Sequence, residues 1–319
     1  MTMAEQNVAI LADFKKRLAE INLLSSMSNV ISYDMETACP PLGRDYEAKE
    51  LVWLGNRIFA LSKDPQLLAE VAKLWQDKDS LDAELRAIVT NWHRDIEKNK
   101  NVSPELNEEA TANFTHAFDV WLVAKSKKNY SLFEDQLAKN VALTKRIVGT
   151  RDNPAGLSAL DWCIDDLASG YRTSDLDAYF AKMKAGLLPL IAKVYASKKT
   201  IRDDFLSRPV PLWKQQEFSH WLMKLLGFDF AAGSLGETEH PFTNRLGPKD
   251  ERVATHYFEK MMVSNLYSIC HETGHALFAQ NIPAVQKAAG CDNFQTFDMD
   301  ESVSRFYESV IGRSEAFID

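Results

Sequence analysis

The stretch His271-Glu272-Thr273-Gly274-His275 lies in a segment, Tyr257 to Gln280, that contains no proline and one glycine, and this segment is predicted to be a helix. On a helix of 3.6 residues per turn, His271 and His275 lie about 40° apart in azimuth and about 6 Å apart along the axis, so both imidazoles can reach one ion. Glu272 lies within roughly 100° of both, where its carboxylate can act on a water without binding the metal. The H-E-x-x-H spacing is typical of a zinc peptidase site.

The rest of this predicted helix is amphipathic. The following apolar residues fall in one arc about 100° wide and are the expected core face: Phe258, Met262, Leu266, Ile269, Ala276 and Leu277. The histidines point away from that arc, and Ser264 and Ser268 precede them on their own face. These small polar side chains would leave a groove open above the metal. From this helix alone, the alternative is a solvated polar face that binds no metal.

A zinc site with an open coordination position needs a third protein ligand, and the candidate is Glu301. Glu301 follows His275 by 26 residues, near the start of a second proline-free segment, residues 300–319. If the chain turns back after Pro283, an antiparallel helix pair would place Glu301 near both histidines. Considered alone, Glu301 and Arg305 could equally form an i,i+4 ion pair on an ordinary solvated face.

With these residues assembled, the chain resembles the M32 metallocarboxypeptidases. The resemblance rests on the order and spacing of four runs: His240-Pro241-Phe242, Asp250-Glu251-Arg252, the His271 to His275 motif, and Glu301-Ser302-Val303-Ser304-Arg305. It implies a mainly α, large helical zinc-peptidase fold of the gluzincin type, with an active-site groove. It also implies that His240 and Arg252 contact substrate, although a lone loop histidine is usually unremarkable. Asp300 and Val303 depart from the family pattern, which has His and Gln at these positions.

The largest departure from the family pattern is the length of the chain. Members of the family continue well beyond the last residue of this chain, and their continuation carries an Ile-Arg-x-x-Ala-Asp motif that binds the substrate's terminal carboxylate. The sequence is therefore expected to be one helical domain, residues 1–319, incomplete at its C-terminus and with its metal-site region at residues 240–314. A fragment would expose apolar surface, and the expected place is the stripe formed by Phe306, Val310 and Phe317.

The resemblance implies a zinc-dependent metallocarboxypeptidase that removes C-terminal residues from peptides. His271, His275 and Glu301 would bind one Zn²⁺ per chain, with other divalent metals such as Co²⁺ as alternatives, and Glu272 would assist attack by a zinc-bound water. Two alternatives stay open. One is an inactive fragment or a helical zinc- or peptide-binding protein without turnover. The other is a related zinc endopeptidase or dipeptidase.

The composition of the chain argues against some classes of binding partner. A net charge of -8 without a Lys/Arg tract argues against nucleic acid, and no apolar run approaches the roughly 18 residues that a membrane span requires. The four cysteines show no C-x-x-C spacing and the chain begins without a secretory signal, so a reducing, cytoplasmic setting is expected. The expected partners are peptide substrates and, in the full-length form, a second copy of the chain in a homodimer.

Helical periodicity dominates the remaining sequence. Helices are predicted at Ala4–Met35, Asp45–Leu61, Ser80–Glu97, Pro104–Lys125, Leu132–Val148, Ser174–Tyr195 and Leu212–Leu226. Breaks are predicted at Pro40-Pro41, at Pro65, at Asn153-Pro154 and at Pro209-Val210-Pro211. Gly233 to Pro248 is predicted to be a loop because it holds three glycines and a proline before its final proline. Few alternating runs suggest strands.

Overall fold

The computed structural model describes residues 3–283 and 296–319, and these residues form a mainly helical protein. The helices are α1 (Met3–Thr37), α2 (Arg44–Ser62), α3 (Pro65–Gln76), α4 (Ala83–Asn99), α5 (Pro104–Ser126), α6 (Glu134–Gly149), α7 (Ala159–Leu167), α8 (Thr173–Ala196), α9 (Leu212–Leu226), α10 (Met262–Gln280), α11 (Phe297–Arg305) and α12 (Glu315–Ile318). A π-helical turn, Phe306–Ile311, continues α11. The predicted fold class is confirmed.

The seven helices predicted from periodicity are present, within three residues of their predicted ends. The predicted break at Pro65 is present, because α2 ends at Ser62 and Pro65 is the first residue of α3. Helix α3 itself was not predicted, and Asp64 caps it by accepting from the backbone N–H groups of Gln66 and Leu67. Proline is favoured at the first helical position, where no intrahelical partner exists for an N–H. The first turn of α7, also unpredicted, is closed by a capping box between Ser158 and Asp161.

The loop predicted for Gly233 to Pro248 is wrong. This region holds β1 (Gly233–Glu237) and β2 (Phe242–Gly247), which flank β3 (Asp250–Thr255) in the order β1-β3-β2, with β1 parallel and β2 antiparallel to β3. Glycine was misleading because it serves close packing here. A Cβ at Gly236 would lie 2.3 Å from the Tyr33 hydroxyl, and one at Gly233 would lie 2.3 Å from the carbonyl oxygen of Glu251.

Separate clusters of buried apolar residues stabilise two different groups of packed elements in the described residues. One joins α1, α3 and α4 and consists of Phe14, Leu18, Ile21, Leu67, Val71, Leu74, Ile88 and Val89. A second joins α9, β3 and α10 and consists of Leu222, Met223, Phe228, Val253, Ile269, Cys270 and Ala276. The second cluster anchors α10 along its length. The H-E-x-x-H motif is therefore carried by a helix that is packed against both a sheet and another helix.

Most of the predicted core face of α10 is correct. Ile269, Ala276 and Leu277 are buried, and Leu266 packs against the same cluster. Phe258 is the exception, since it is 41% exposed and precedes the helix, which begins at Met262. The predicted helix segment was therefore too long at its N-terminal end.

The predicted antiparallel pair of α10 and α11 is present. Successive residues of α11 and its π-helical continuation lie beside residues of α10 in the reverse order. Asp300 lies beside His275, Ser304 beside Gly274 and Glu308 beside His271. The approach is close, because a Cβ at Gly274 would lie 2.7 Å from the Cα of Ser304. The connecting loop predicted after Pro283 lies outside the described residues.

Helix α11 and its π-helical continuation pack against α10 through their polar face. Ser304, Glu308 and Gly312 are buried against α10, whereas Phe306 and Val310 are exposed. Small residues and a carboxylate suit this contact because the facing side of α10 carries Gly274 and His271. The expected exposure of Phe306 and Val310 is confirmed. The expectation for Phe317 is wrong, because Phe317 packs against the buried cluster of α9, β3 and α10.

Helix α8 has no buried residue in the described structure. Its exposed large apolar side chains are Tyr179, Phe180, Leu187, Leu188, Leu190, Ile191, Val194 and Tyr195. This face is longer than the exposed stripe expected on α11. Among the helices of the described ranges, none combines the length and the apolar character that crossing a membrane requires.

Candidate metal centre

The structure brings His271, His275 and Glu301 together. The two Nε2 atoms lie 3.3 Å apart, Oε2 of Glu301 lies 3.6 Å from Nε2 of His271, and Oε1 of Glu301 lies 3.9 Å from Nε2 of His275. These side chains come from two helices that are held in register by the contact at Gly274. All three side chains are partly buried, and their ligand atoms lie within 4.8 Å of one another.

Each histidine is fixed by a carboxylate on its other ring nitrogen. Nδ1 of His271 lies 3.1 Å from Oε2 of Glu308, and Nδ1 of His275 lies 3.2 Å from Oδ2 of Asp300. The first contact has good hydrogen-bond geometry, whereas the second is close but less well aligned. Since ionised carboxylates only accept, each contact favours a hydrogen on Nδ1 and leaves the lone pair of Nε2 free to bind a metal.

The donor set fits a dication. Two Nε2 lone pairs and a carboxylate are all acceptors, and three acceptors that converge on one point without a donor between them are suited to a cation. Two ligands about 2.1 Å from a tetrahedral zinc would lie about 3.4 Å apart. The observed separations of 3.3, 3.6 and 3.9 Å lie close to that value. Two imidazoles and one carboxylate also match a zinc site that keeps one position for water or substrate.

Electrostatics differ between the two histidines. Burial lowers the pKa of His271 below its ordinary value, and the neighbouring His275 adds to this effect. Burial also lowers the pKa of His275, but the contact with Asp300 and the surrounding carboxylates outweigh it and leave the pKa raised. Metal binding requires neutral imidazoles, so a bound dication must displace any proton held at His275.

Glu272 occupies the position expected of a general base. Its side chain is buried, 5% exposed, and the Thr243 hydroxyl lies 2.8 Å from its Oε2 and 2.9 Å from its carbonyl oxygen. Burial raises the pKa of Glu272 to about 7, against the opposing effects of Thr243 and His275. A carboxylate whose pKa lies near neutrality is well matched to taking and returning a proton.

A cleft of about 690 Å³ opens beside this group. It is lined by Leu206, His240, Pro241, Met261, Val263, Ser264, Tyr267, Ser268, His271, Glu272, Glu301, Arg305 and Glu308. Ser264 and Ser268 are in the lining, as expected from their position on the histidine face of α10. A cleft of this size is adequate for a few residues of a peptide.

The two predicted substrate contacts lie in different surroundings. His240 lines the cleft, with its ring edge-on to Trp121 at a centroid distance of 6.3 Å. Arg252 does not line the cleft. It lies on β3, donates from Nη2 to Asp250 at 2.8 Å, and places its guanidinium 5.8 Å from the centre of the Tyr33 ring. Both substrate roles stay predictions.

Cys270 precedes the first histidine and lies about 100° away from it on the helix, where it is buried in the core. Burial raises the pKa of its thiol to about 11, which disfavours the thiolate that would bind a metal. The described cysteines, Cys39, Cys163 and Cys270, are free thiols. Cys291 lies outside the described residues.

The side chains that hold the metal ligands and Glu272 in place were not predicted from the sequence. Thr243 gave no signal, because it lies in the segment that was predicted to be a loop. Asp300 was visible only as a departure from the family pattern, and Glu308 only as a residue seven positions after Glu301 on the same face. Their contacts depend on how α10 meets α11 and β2. A spacing rule within one helix does not predict such contacts.

The helical fold and the convergence of His271, His275 and Glu301 are features of a family of helical metallopeptidases. The family model described as carboxypeptidase Taq (M32) metallopeptidase matches residues 13–319. The chain belongs to this family.

Relatives agree with this assignment. The chain is similar to carboxypeptidase 1 of Bacillus subtilis (strain 168), with 29% identity over 308 residues that cover 96% of this chain and 60% of that protein. The BsuCP crystal structure matches with a TM-score of 0.92 and 28% identity, covering 96% of this chain and 61% of that one. The M32 carboxypeptidase of Deinococcus radiodurans R1 matches with a TM-score of 0.85 and 25% identity, covering 97% and 61%. The chain thus spans about 60% of the length of the relatives it matches.

Proposed function

We propose that this chain is the metal-bearing part of a zinc-dependent metallocarboxypeptidase that removes C-terminal residues from peptides. The observation that carries the proposal is the convergence of the two Nε2 atoms and the Glu301 carboxylate at 3.3 to 3.9 Å, beside a buried glutamate in an open cleft. His271, His275 and Glu301 would hold one zinc per chain. Co²⁺ could take the same donor set, since it accepts the same nitrogen and oxygen ligands.

When bound, zinc supplies Lewis-acid polarisation of the scissile carbonyl and lowers the pKa of a coordinated water toward 7. The rest is done by the chain's own residues. Glu272 accepts the proton of the attacking water at its carboxylate and returns it to the leaving amine. Thr243 holds that carboxylate toward the cleft through its hydroxyl. The cleft walls orient the peptide so that its scissile bond lies beside these groups.

The substrate class is a peptide with a free C-terminal carboxylate. Arg305 lines the cleft, its side chain is 62% exposed, and it donates from Nη1 to Glu308 at 2.7 Å. A guanidinium at this place supports an anionic substrate end. Amidation of the peptide C-terminus removes that charge, so it provides a direct test of exopeptidase action.

The test is product analysis by mass spectrometry on the zinc-loaded chain. One peptide is supplied with a free C-terminus and again as its C-terminal amide, and Glu272→Gln serves as the metal-binding, inactive control. We expect stepwise loss of C-terminal residues from the free peptide, little from the amide and none with the control. Internal fragments would instead indicate a zinc endopeptidase, and dipeptide products a dipeptidase.

A second candidate function is zinc or peptide binding without turnover. The observation that favours it is that the chain spans about 60% of the relatives' length, so groups that act in those proteins need not all be in this chain. One bound zinc, measurable peptide binding and no hydrolysis would support this candidate. The cytoplasmic setting stays a prediction; the free thiols of the described cysteines agree with a reducing compartment.

A further inference from the structure

Asp300 connects the metal centre to the sheet. Its Oδ2 lies 3.2 Å from Nδ1 of His275, and its Oδ1 lies 3.5 Å from Nη2 of Arg245 on β2. Its side chain is 25% exposed, and the imidazole of His275 is 13% exposed. The carboxylate therefore lies in a partly buried contact between three elements, α10, α11 and β2.

Arg245 is itself held in place. Its carbonyl oxygen accepts from Nδ2 of Asn29 on α1 at 2.9 Å, and its Nε lies 3.9 Å from Oε2 of Glu251, which is 1% exposed. The backbone of Arg245 is thus held by α1, and its guanidinium lies between the carboxylates of Glu251 and Asp300. The free oxygen of Asp300 is then directed at the imidazole rather than at solvent.

Another explanation for an acidic residue at this place is the helix dipole. Asp298 and Asp300 both lie in the first turn of α11, where negative charge is favoured. The helix dipole would favour the exposed carboxylate of Asp298 as much as that of Asp300. It does not explain why only one of the two reaches a histidine of the metal centre.

We propose that Asp300 is a positioning residue for His275, holding the hydrogen on Nδ1 so that the lone pair of Nε2 points at the metal. The inference rests on the proposed zinc site. Oε2 of Glu308 lies 3.1 Å from Nδ1 of His271, so each imidazole has its own carboxylate. Unlike Glu308, Asp300 is adjacent in sequence to the candidate ligand Glu301. One short segment therefore carries both a ligand and the group that orients another ligand.

The consequence concerns affinity for zinc. Loss of a carboxylate that orients a metal-binding histidine typically weakens metal binding about 10–100-fold. Asp300→Ala removes both the acceptor and the charge and should show the full loss. Asp300→Asn keeps an oxygen that can accept from Nδ1 but removes the charge, so its affinity should fall between those of the parent chain and Asp300→Ala. Asp300→Glu keeps the charge and should recover part of the affinity.

The first experiment measures zinc affinity by competition with a fluorescent chelator, on chains whose folding is checked by circular dichroism. Asp298→Asn is the matched control, since it removes a first-turn charge from α11 without touching His275. We expect Asp300→Ala to bind about 10–100-fold more weakly and Asp298→Asn to bind as the parent chain does. Equal losses in both variants would make the effect one of helix-end charge and overturn the inference.

The second experiment needs no metal. Long-range ¹H–¹⁵N spectra of the histidine-labelled, metal-free chain report which ring nitrogen carries the hydrogen. The parent chain should show the Nδ1–H form at His275, and Asp300→Ala should shift it toward the Nε2–H form. An unchanged tautomer would overturn the inference. Failure of the parent chain to bind zinc would instead overturn the proposed function, so the two outcomes are distinguishable.

Discussion

Glu272 lies in an environment that changes its protonation strongly relative to a free glutamate. It is buried beside the metal ligands, accepts from Thr243, and has a pKa raised to about 7 by burial. These conditions suit proton transfer, and they are unlike those of a structural glutamate, which would be paired with a cation.

Replacing Glu272 with Gln tests its role as base. In a form of the enzyme that hydrolyses peptides, kcat should fall about 10²–10⁴-fold because an amide cannot accept the water's proton. Bound zinc, measured by atomic absorption, should be unchanged, since Glu272 is not among the converging ligand atoms. Turnover close to that of the parent with full zinc occupancy would contradict the assignment.

At the scale of single residues, the sequence predicts the metal ligands better than the residues that hold them in place. The i,i+4 spacing placed His271 and His275 on one face, and 26 residues with a turn sufficed to return Glu301 to them. The contacts of Asp300 and Thr243 depend on the packing of separate elements. No periodicity within one helix encodes them.

Helix α10 can approach α11 only because residue 274 has no side chain. A Cβ on Gly274 would lie 2.7 Å from the Cα of Ser304 and 3.2 Å from the carbonyl oxygen of Val303, and backbone atoms cannot rotate away. The glycine that weakens the helix intrinsically is therefore required for the distance between the histidines and Glu301.

Gly274→Ala should destabilise the chain by about 1–3 kcal/mol through overpacking and should weaken zinc binding as α11 moves outward. Urea unfolding and chelator competition measure the two effects. Gly186→Ala in α8 is the control, because no atom lies within 4 Å of its added Cβ. It should raise helix stability by about 0.5–1 kcal/mol. Equal behaviour of the two variants would show that the helix contact is not close.

A second contact between elements is the ion cluster that joins α7 to α4. Asp165, whose side chain is 9% exposed, accepts from Nζ of Lys98 at 2.6 Å, from Nη1 of Arg172 at 2.7 Å and from the N–H of Gly170 at 3.0 Å. Burial raises the pKa of Asp165, but these donors outweigh it and hold the pKa below the ordinary range.

Asp165→Asn should cost about 1–3 kcal/mol at neutral pH, because it removes the carboxylate charge that Lys98 and Arg172 contact, while Lys98 keeps Asp166 at 3.0 Å. Since the folded-state pKa is depressed, this stability is fully present above the unfolded pKa of about 3.9 and is lost as pH falls below it. The difference from the parent in urea unfolding should therefore shrink on acidification. Asp152→Asn, at an exposed pair with Lys100, is the control and should change little. A difference that persists at low pH would contradict this account.

Helices and strands could be predicted where the sequence pattern within the segment itself determines the structure. Helices with regular apolar spacing were found, and α9 was predicted to the residue. The sheet was missed because its strands are short and its glycines, Gly233 and Gly236, serve close contacts with distant parts of the chain. Pro65 marks the break that was predicted, but the helix that it begins was not predicted.

On the scale of the molecule, the described fold leaves the apolar face of α8 uncovered. Leu188, Val194 and Tyr195 are 59%, 63% and 86% exposed, and they continue along one helix with other apolar neighbours. Contiguous exposed apolar surface of this kind is uncommon on monomers and drives association.

The 319-residue chain is expected to self-associate through α8. Light scattering should show a mass that rises with concentration, and Leu188→Glu combined with Ile191→Glu should lower it. Leu42→Glu is the control, since Leu42 is 99% exposed but lies alone in the turn after α1. A chain that stays monomeric at high concentration, or one whose association is unaffected by the α8 changes, would contradict this expectation.

The central claim is that His271, His275 and Glu301 hold one zinc, and X-ray absorption at the zinc edge tests it most directly. The parent chain, loaded with one equivalent of zinc, should show only nitrogen and oxygen ligands at about 2.0–2.2 Å, with the scattering pattern of two imidazoles. Glu301→Ala should replace one protein oxygen by water and lower the zinc affinity, with both imidazoles retained. A sulfur ligand at about 2.3 Å, fewer than two imidazoles, or a spectrum indifferent to Glu301 would contradict the claim.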